Sequence, residues 1–372
     1  MNKTLTRTVC CKLDVEGHEA ALAATQRAFN EAATWIARVC WDEGITNTNT
    51  AHHRVYGETR LRFGLGAQLA VCARAKAVEA IKAVKAKKRE TCPQFGPRGS
   101  IRYDARTYRL MSLDRVSLNT LEGRVVCRLL LGPRQHEMLV DPAWEIGGAD
   151  LVWRAGVYYL HIIQSREAPD EQASEGDVLG IDLGIVNLAT DSEGDHFTGA
   201  MIHTVRNRYH LRRQRLQKCG TKNAKRRLRT MRCRESRFQS DTNHCISKKL
   251  VQKAAVARKA IALEDLSGIR ERTTVRREHR YERHSWAFFQ LRQYISYKAA
   301  WAGVPVYLVD PRNTSRTCSQ CGHCEKANRK SQASFLCQRC GFATNADYNA
   351  ALNISRKQRA AVNRPMAAPF AG

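Results

Sequence analysis

Apolar side chains alternate from Thr4 to Val15, with Val9, Cys11, Leu13 and Val15 on one side, as a half-buried strand requires. The period then changes. Between His18 and Trp41, Leu22, Phe29, Ala33, Ile36 and Cys40 recur at spacings of three, four and seven, which predicts a helix. A polar run, GITNTNTAHHR, interrupts it. A second helical pattern from Ala67 to Arg89 sets Leu69, Cys72, Val78, Ile81 and Val84 against a crowd of Lys and Arg, and Pro93, Gly96 and Pro97 stop it. Alternation returns in SIRYDARTYRLMSLDRVSLNTLEGRVVCRLLLG, with a turn at Glu122–Gly123, and in LVWRAGVYYLHIIQS, a hairpin tipped by Ala155–Gly156. Together these predict a small antiparallel barrel split by a helical insertion. The acidic stretch REAPDEQASEGD closes this half of the chain.

The second half reads differently. VLGIDLGIVNLATDSEGDHFTG is a nearly continuous apolar strand, a tight turn and a second strand, as in an α/β sheet. From Arg206 to Arg237 there are fourteen Lys and Arg against one acid, Glu235, which predicts a phosphate-tracking helical pair. SDTNHCISKKLVQKAA continues as helix into a strand, Ala260 to Leu266. A further basic segment, Arg270 to Arg283, precedes the amphipathic helix WAFFQLRQYISYKAAWAG. Phe288, Tyr294, Tyr297 and Trp301 of that helix are expected in the core. VPVYLVD reads as the next strand.

Charge narrows the function. Lys and Arg outnumber Asp and Glu by 62 to 35, a net charge of +27, which points to a nucleic-acid partner. No apolar run is long enough for a membrane span, and the N-terminal residues lack a signal-peptide core, so a cytoplasmic protein is expected. Nine of the fourteen cysteines are scattered without a spacing pattern and read as ordinary thiols.

The other five cluster between Arg312 and Ile354. Cys318/Cys321 and Cys337/Cys340 are two Cys-x-x-Cys knuckles, each followed by a glycine, Gly322 or Gly341, that permits a left-handed turn. Two thiolates from each knuckle give zinc a tetrahedron, so a zinc ribbon is predicted. Acids stand at three junctions. Asp182 ends one buried strand, Glu264 and Asp265 end another, and Asp347 opens the helix after the ribbon. Alternation lets only one of Glu264 and Asp265 share a site with Asp182, and the pattern alone leaves that choice open. Asp347 could also be a helix cap. Three such carboxylates are what two-metal phosphodiester hydrolysis with two Mg²⁺ ions needs.

GIDLGIVNLAT, ALEDL, the knuckles in TSRTCSQCG and RKSQASFLCQRCG, and NADYNAALNI resemble the RuvC-like nuclease motifs of the TnpB family. These are transposon-encoded RNA-guided nucleases related to type V CRISPR effector nucleases. The resemblance is dense from Val178 to Ser355 and thinner upstream, in CPQFGPRGSIRYD and VSLNTLEGRV. It implies Asp182, Glu264 and Asp347 as catalytic acids and Mg²⁺ ligands, choosing Glu264 over Asp265. It implies Cys318, Cys321, Cys337 and Cys340 as Zn²⁺ ligands, and Arg329 beside the active site, steadying the scissile phosphate. Two departures stand out. Cys324 extends the first knuckle and competes with Cys321, and Cys245 follows His244 where the family has a basic residue.

The resemblance implies α/β architecture plus a small β-barrel: a RuvC-like RNase H fold with an inserted zinc ribbon, and a wedge barrel split by a helical recognition lobe. The expected divisions are the first wedge strand at 1–15, the recognition lobe at 16–91 and the rest of the wedge barrel at 92–175. The nuclease domain follows at 176–311, the ribbon at 312–343 as a target-nucleic-acid-binding insertion, the last nuclease part at 344–358 and a disordered tail at 359–372. The expected activity is Mg²⁺-dependent, RNA-guided DNA cleavage next to a short flanking motif. The expected partners are a guide RNA from the transposon end and target double-stranded DNA, bound by a monomer that is nucleoid-associated when on DNA. The rivals are a compact type V CRISPR effector, a nuclease-inactive guided repressor, and a zinc-ribbon DNA-binding protein without a guide.

Overall fold

The computed structural model describes residues 4–171, 177–184, 186–265, 288–331 and 333–362. The chain divides into two compact units, Met1–Glu167 and Ala168–Gly372. The predicted basic segment from Arg270 to Arg283 lies outside the described residues.

The first unit is built on seven strands: β1 Thr4–Asp14, β2 Ile101–Tyr103, β3 Tyr108–Leu110, β4 Arg115–Thr120, β5 Gly123–Leu130, β6 Glu145–Arg154 and β7 Val157–Glu167. Their order is β2-β6-β7-β1-β5-β4-β3, with antiparallel pairing throughout. The two edge strands are thus consecutive in the chain. A turn joins them in which Asp104 Oδ1 accepts the backbone N–H groups of Arg106 and Thr107. Tyr103 donates its hydroxyl to the Asn119 carbonyl on β4, and Tyr108 donates to the Gly147 carbonyl on β6. These bonds link the sheet's opposite edges and nearly close a barrel. At the β6–β7 tip, Ala155 and Gly156 both have positive φ, as the tight hairpin requires.

Between β1 and β2 run α1 Glu19–Asp42, α2 Thr48–Phe63 and α3 Ala67–Ala86. Leu22, Phe29 and Ile36 of α1 join Leu69, Val78 and Ile81 of α3 in one core with the barrel's Val9 and Leu118. Helix α2 corrects the reading of GITNTNTAHHR as a mere interruption. Asn47 accepts the N–H groups of Asn49 and Thr50, so the polar run is the cap of a helix, and Ala51, Val55 and Thr59 bury its inner side. A short helix, α4 Pro133–Val140, follows β5 with proline in its first turn.

The second unit holds β8 Val178–Asp182, β9 Asn187–Asp191, β10 His196–Thr198, β11 Ala260–Glu264 and β12 Val306–Val309, in the order β10-β9-β8-β11-β12. The pairs β8–β11 and β11–β12 are parallel, whereas β8–β9 and β9–β10 are antiparallel. The basic stretch forms α5 Ala200–Cys219 and α6 Lys222–Val256. Helices α7 Phe288–Trp301 and α8 Ala346–Val362 complete the described helices. Leu179, Ile181, Ile261 and Leu263 pack with Leu250 of α6 and Leu291 and Ile295 of α7. Val178, Ala260 and Ala262, on the opposite face, pack with Ile354 of α8.

Two expectations are corrected. On α7 the core positions belong to Leu291, Ile295 and Ala299, while Tyr294, Tyr297 and Trp301 are only half-buried; the side chain of Phe288 lies outside the described ones. The tail expected to be disordered from residue 359 continues α8 as far as Val362, and Lys357 just before it donates to the Asp310 and Arg312 carbonyls.

Candidate active site and metal centre

Strand periodicity decides which acids share a face. Residues 178, 180 and 182 of β8 alternate with 179 and 181, and the register pairs Leu263 with Ile181, so Asp182 and Glu264 end neighbouring strands on the face that α8 covers. Asp265 falls on the other face, where it accepts from Arg292 Nη1 of α7 at 3.0 Å. This is the physical reason for Glu264 over Asp265.

Close packing of α8 supplies the third acid. A Cβ on Gly180 would lie 2.2 Å from the Ala351 carbonyl oxygen and 2.6 Å from the Ser355 nitrogen, so the helix backbone rests directly on β8. Ser355 fixes the contact by donating to the Val178 carbonyl at 2.7 Å. One turn nearer the helix start, Asp347 is buried. It is not the cap, because Asn345 Oδ1 accepts the N–H groups of both Asp347 and Tyr348. Its carboxylate instead accepts from Asn187 Nδ2 at 2.9 Å and stands 3.8 Å from Arg329 Nη2.

Electrostatics tie the three acids together. Burial, then the Glu264 and Asp347 carboxylates, push Asp182 well above the usual carboxylate range, against the Arg329 guanidinium and the Leu183 N–H. Burial also raises Glu264, opposed by the Thr314 hydroxyl at 2.5 Å and by Lys357 and Arg329. A cluster of carboxylates that cannot all ionise unaided is suited to divalent cations, and its oxygen donors match a hard ion. Asn187, Thr314 and Lys357 were not singled out from the sequence. The first two lie inside the motifs GIDLGIVN and TSRTC, so the signal was present without a reason to select them.

The ribbon beside Asp347 comprises β13 Ser334–Leu336 and β14 Ala343–Asn345, with a 3₁₀ turn at Lys326–Asn328. Its knuckles repeat one geometry. Gly322 N–H bonds to the Cys318 carbonyl and Gly341 N–H to the Cys337 carbonyl, with φ of 74° and 72° at the glycines. The four sulfur atoms of Cys318, Cys321, Cys337 and Cys340 lie within 4.8 Å of one another. That set fits a tetrahedral thiolate site such as zinc occupies. Burial opposes ionisation of Cys337, but the N–H groups of Cys340 and Arg339 and the neighbouring thiols outweigh it and lower its pKa to about 6. Cys324 is exposed and outside the set, so it does not displace Cys321. Among the described residues this is the one group of three or more His, Cys, Asp or Glu with ligand atoms so close; the three acids are spread more widely.

Asparagines join ribbon to helix. Asn349 of α8 accepts the Ser319 N–H and donates to the Thr317 carbonyl, while Asn353 donates to the Thr314 and Thr317 carbonyls. Within the ribbon, buried Asn328 donates to the Arg316 and His323 carbonyls and accepts from Gln338 N–H. Arg329 follows it in sequence and is thereby set facing Asp347.

Residues 161–267 match a family model described as a probable transposase, and residues 288–354 match the Cas12f1-like TNB domain. A TnpB-like protein of Methanocaldococcus jannaschii is 35% identical over 127 residues, 34% of this chain and 45% of that protein. Over these stretches the chain is similar to the TnpB family. The chain is also 32% identical over 219 residues to the CRISPR-associated endodeoxyribonuclease Cas12f1 of Sulfoacidibacillus thermotolerans, covering 54% of the chain and 50% of that enzyme. It therefore spans about half the length of that curated relative. Its fold is that of the protein in a cryo-EM structure of a Cas12f1–sgRNA–target DNA complex, with a TM-score of 0.66 over 95% of this chain and 98% of that one at 14% identity. Among the described residues, no helix is long and apolar enough to cross a membrane.

Proposed function

We propose that this chain is an RNA-guided DNA endonuclease of a transposable element, cleaving guide-matched DNA beside a short flanking motif by two-metal phosphodiester hydrolysis. One observation carries the reading. Asp182, Glu264 and Asp347 come from three separate elements to one face of the sheet, where burial and the carboxylates of Glu264 and Asp347 together raise Asp182. The strand order β10-β9-β8-β11-β12, antiparallel then parallel, supports a RuvC-like RNase H fold.

Asp182, Glu264 and Asp347 would hold two Mg²⁺ ions. When bound, such ions supply an activated water and stabilise the leaving oxygen. The rest falls to the protein. Thr314 fixes one Glu264 oxygen, Asn187 fixes one Asp347 oxygen, and Arg329 offers positive charge to the scissile phosphate. The four cysteines would hold a structural Zn²⁺, making the ribbon a support for Asp347 and Arg329. Guide RNA from the transposon end reads sequence by base pairing, and the excess of Lys and Arg serves the backbones of guide and target double-stranded DNA. The protein acts as a monomer in the cytoplasm, nucleoid-associated when on DNA.

The test is to purify the protein from its host, sequence the RNA that accompanies it, and assay cleavage of matched duplex DNA with and without Mg²⁺. A discrete transposon-end RNA, Mg²⁺-dependent cutting, and loss of cutting in Asp182→Ala are expected. Absence of a discrete RNA refutes guidance, and undiminished cutting by Asp182→Ala refutes the site.

A further inference from the structure

Helix α7 has a second apolar face besides the one in the core. Tyr294, Tyr297 and Trp301, spaced by three and four, lie together on it, and His244 of α6 completes the row. The His244 imidazole stacks on Tyr294 with centroids 4.0 Å apart and planes 20° from parallel. Tyr297 meets Tyr294 edge-on at 5.8 Å, and Trp301 meets Tyr297 edge-on at 5.6 Å. Hydrogen bonds fix the rings: Ser240 Oγ with the Tyr294 hydroxyl at 2.8 Å, and the Tyr297 hydroxyl with His244 Nδ1 at 3.3 Å. None of the four side chains is buried.

The surroundings are basic. Lys298 donates to the His244 carbonyl at 2.6 Å and sits 5.9 Å from the Tyr297 ring centre. Its ammonium also donates to Ser247 Oγ at 2.7 Å, which holds it beside the rings; burial lowers its pKa, opposed by Cys245 and reinforced by Lys248. Lys248 and Lys249 continue the α6 surface one turn beyond His244 and Cys245, and one acid, Asp241, stands a turn before them. Fixed aromatic rings flanked by cations match an unpaired nucleic-acid strand, with bases on the rings and phosphates on the lysines. An acidic peptide would use the lysines and leave the rings without a purpose.

We propose that the His244–Tyr294–Tyr297–Trp301 row is a stacking platform for the bases of an unpaired DNA strand. The choice of DNA rests on the nuclease reading above, in which duplex opening by the guide creates such a strand. Pre-set rings lose little freedom on binding, so each stacked base adds to affinity without a matching ordering cost. Cys245 follows His244 on α6, and Lys298 from α7 supplies a cation beside that position.

The experiment measures binding of labelled oligonucleotides in magnesium-free buffer, where cleavage does not intervene. Wild-type protein is expected to bind oligo-dT at least about tenfold more tightly than an abasic strand of equal length, with oligo-rU no tighter than oligo-dT. Tyr297→Ala and Trp301→Ala should each remove most of that margin, while Tyr297→Phe and Trp301→Phe keep it. Should the alanine variants fail to fold by thermal melting, photocrosslinking of a bromodeoxyuridine strand to wild-type protein decides, with adducts expected on the Arg292 to Trp301 peptide. Equal affinity for the abasic strand, alanine variants that bind like wild type, or crosslinks only elsewhere would overturn the platform. Preference for oligo-rU would overturn its assignment to DNA. The assay requires neither guide nor cutting, so a chain lacking a guide RNA can pass it and a guided nuclease can fail it.

Discussion

The Thr314 hydroxyl lies 2.5 Å from Glu264 Oε1 and 2.9 Å from the Pro311 carbonyl. Its single proton goes to the stronger acceptor, the carboxylate, whenever Glu264 is ionised. The residue that opens the ribbon segment thus orients an acid on strand β11, while its own carbonyl is held by Asn353 of α8. On the proposed two-metal reading, in which Glu264 is a ligand, Thr314→Val is expected to raise the Mg²⁺ concentration for half-maximal cleavage by about 10–100-fold. Thr314→Ser, which keeps the hydroxyl, should restore most of it. A magnesium titration of cleavage rate checks both.

Gly180 and Gly57 should respond oppositely to alanine. At Gly180 the added Cβ meets two backbone atoms of α8, which cannot rotate away, so Gly180→Ala should cost about 1–3 kcal/mol or more and abolish cleavage. Gly57 lies inside α2 with nothing within 4 Å of its Cβ position, so Gly57→Ala should stabilise by about 0.4–1 kcal/mol. Denaturant unfolding curves distinguish the signs.

Metal analysis of the purified chain should give about one zinc per molecule, the content of a single four-cysteine site. Cys321→Ser and Cys340→Ser should lose it, while Cys324→Ser should retain it, because Cys324 stands outside the sulfur cluster. Chelation is expected to expose the amides at Ser319 and Gln338 to hydrogen exchange, since their partners are Asn349 and Asn328.

Lys76 provides a pH test in the first unit. Burial pulls its ammonium down to about 8, opposed by Asp150 and reinforced by Arg102, while its Nζ donates to Asn30 Oδ1 and the Ser100 carbonyl. The folded value lies below the unfolded one of about 10.4, so the folded state favours the neutral amine. Its contribution is full above about 10, and falls as pH drops toward about 8. Relative to Lys76→Met, the wild type should therefore gain stability as pH rises between those limits and show no change in the difference below pH 7. Parallel denaturant titrations across that range would show it, and a flat difference would refute it.

Much of the second unit was legible because burial and alternation coincide. The continuous apolar run around Asp182 and the paired acids at Glu264–Asp265 identified strand ends, although which acid faced inward depended on register, which no local pattern contains. The knuckles were readable for a different reason: zinc chemistry imposes a spacing. Helix α2 was missed because its signal is a cap at Asn47 rather than an apolar stripe. Tyr294, Tyr297 and Trp301 were misplaced since aromatic residues at helical spacing look the same whether they face a core or a groove. Asn187 and Thr314 escaped because a single polar side chain acquires its role only from the carboxylate that folding brings to it.

Order of synthesis gives Gly180 a last significance. Ser355 reaches back 177 residues to the carbonyl of Val178, so the groove at Gly180 stays without its helix until the ribosome has made nearly all the described chain. At about 5–20 residues per second, Asp182 and Glu264 exist for several seconds without Asp347. A growing chain with its sheet already folded is thus expected to be catalytically silent. On the nuclease reading, synthesis of α8 is then one condition for the first cut, beside the guide and the metal.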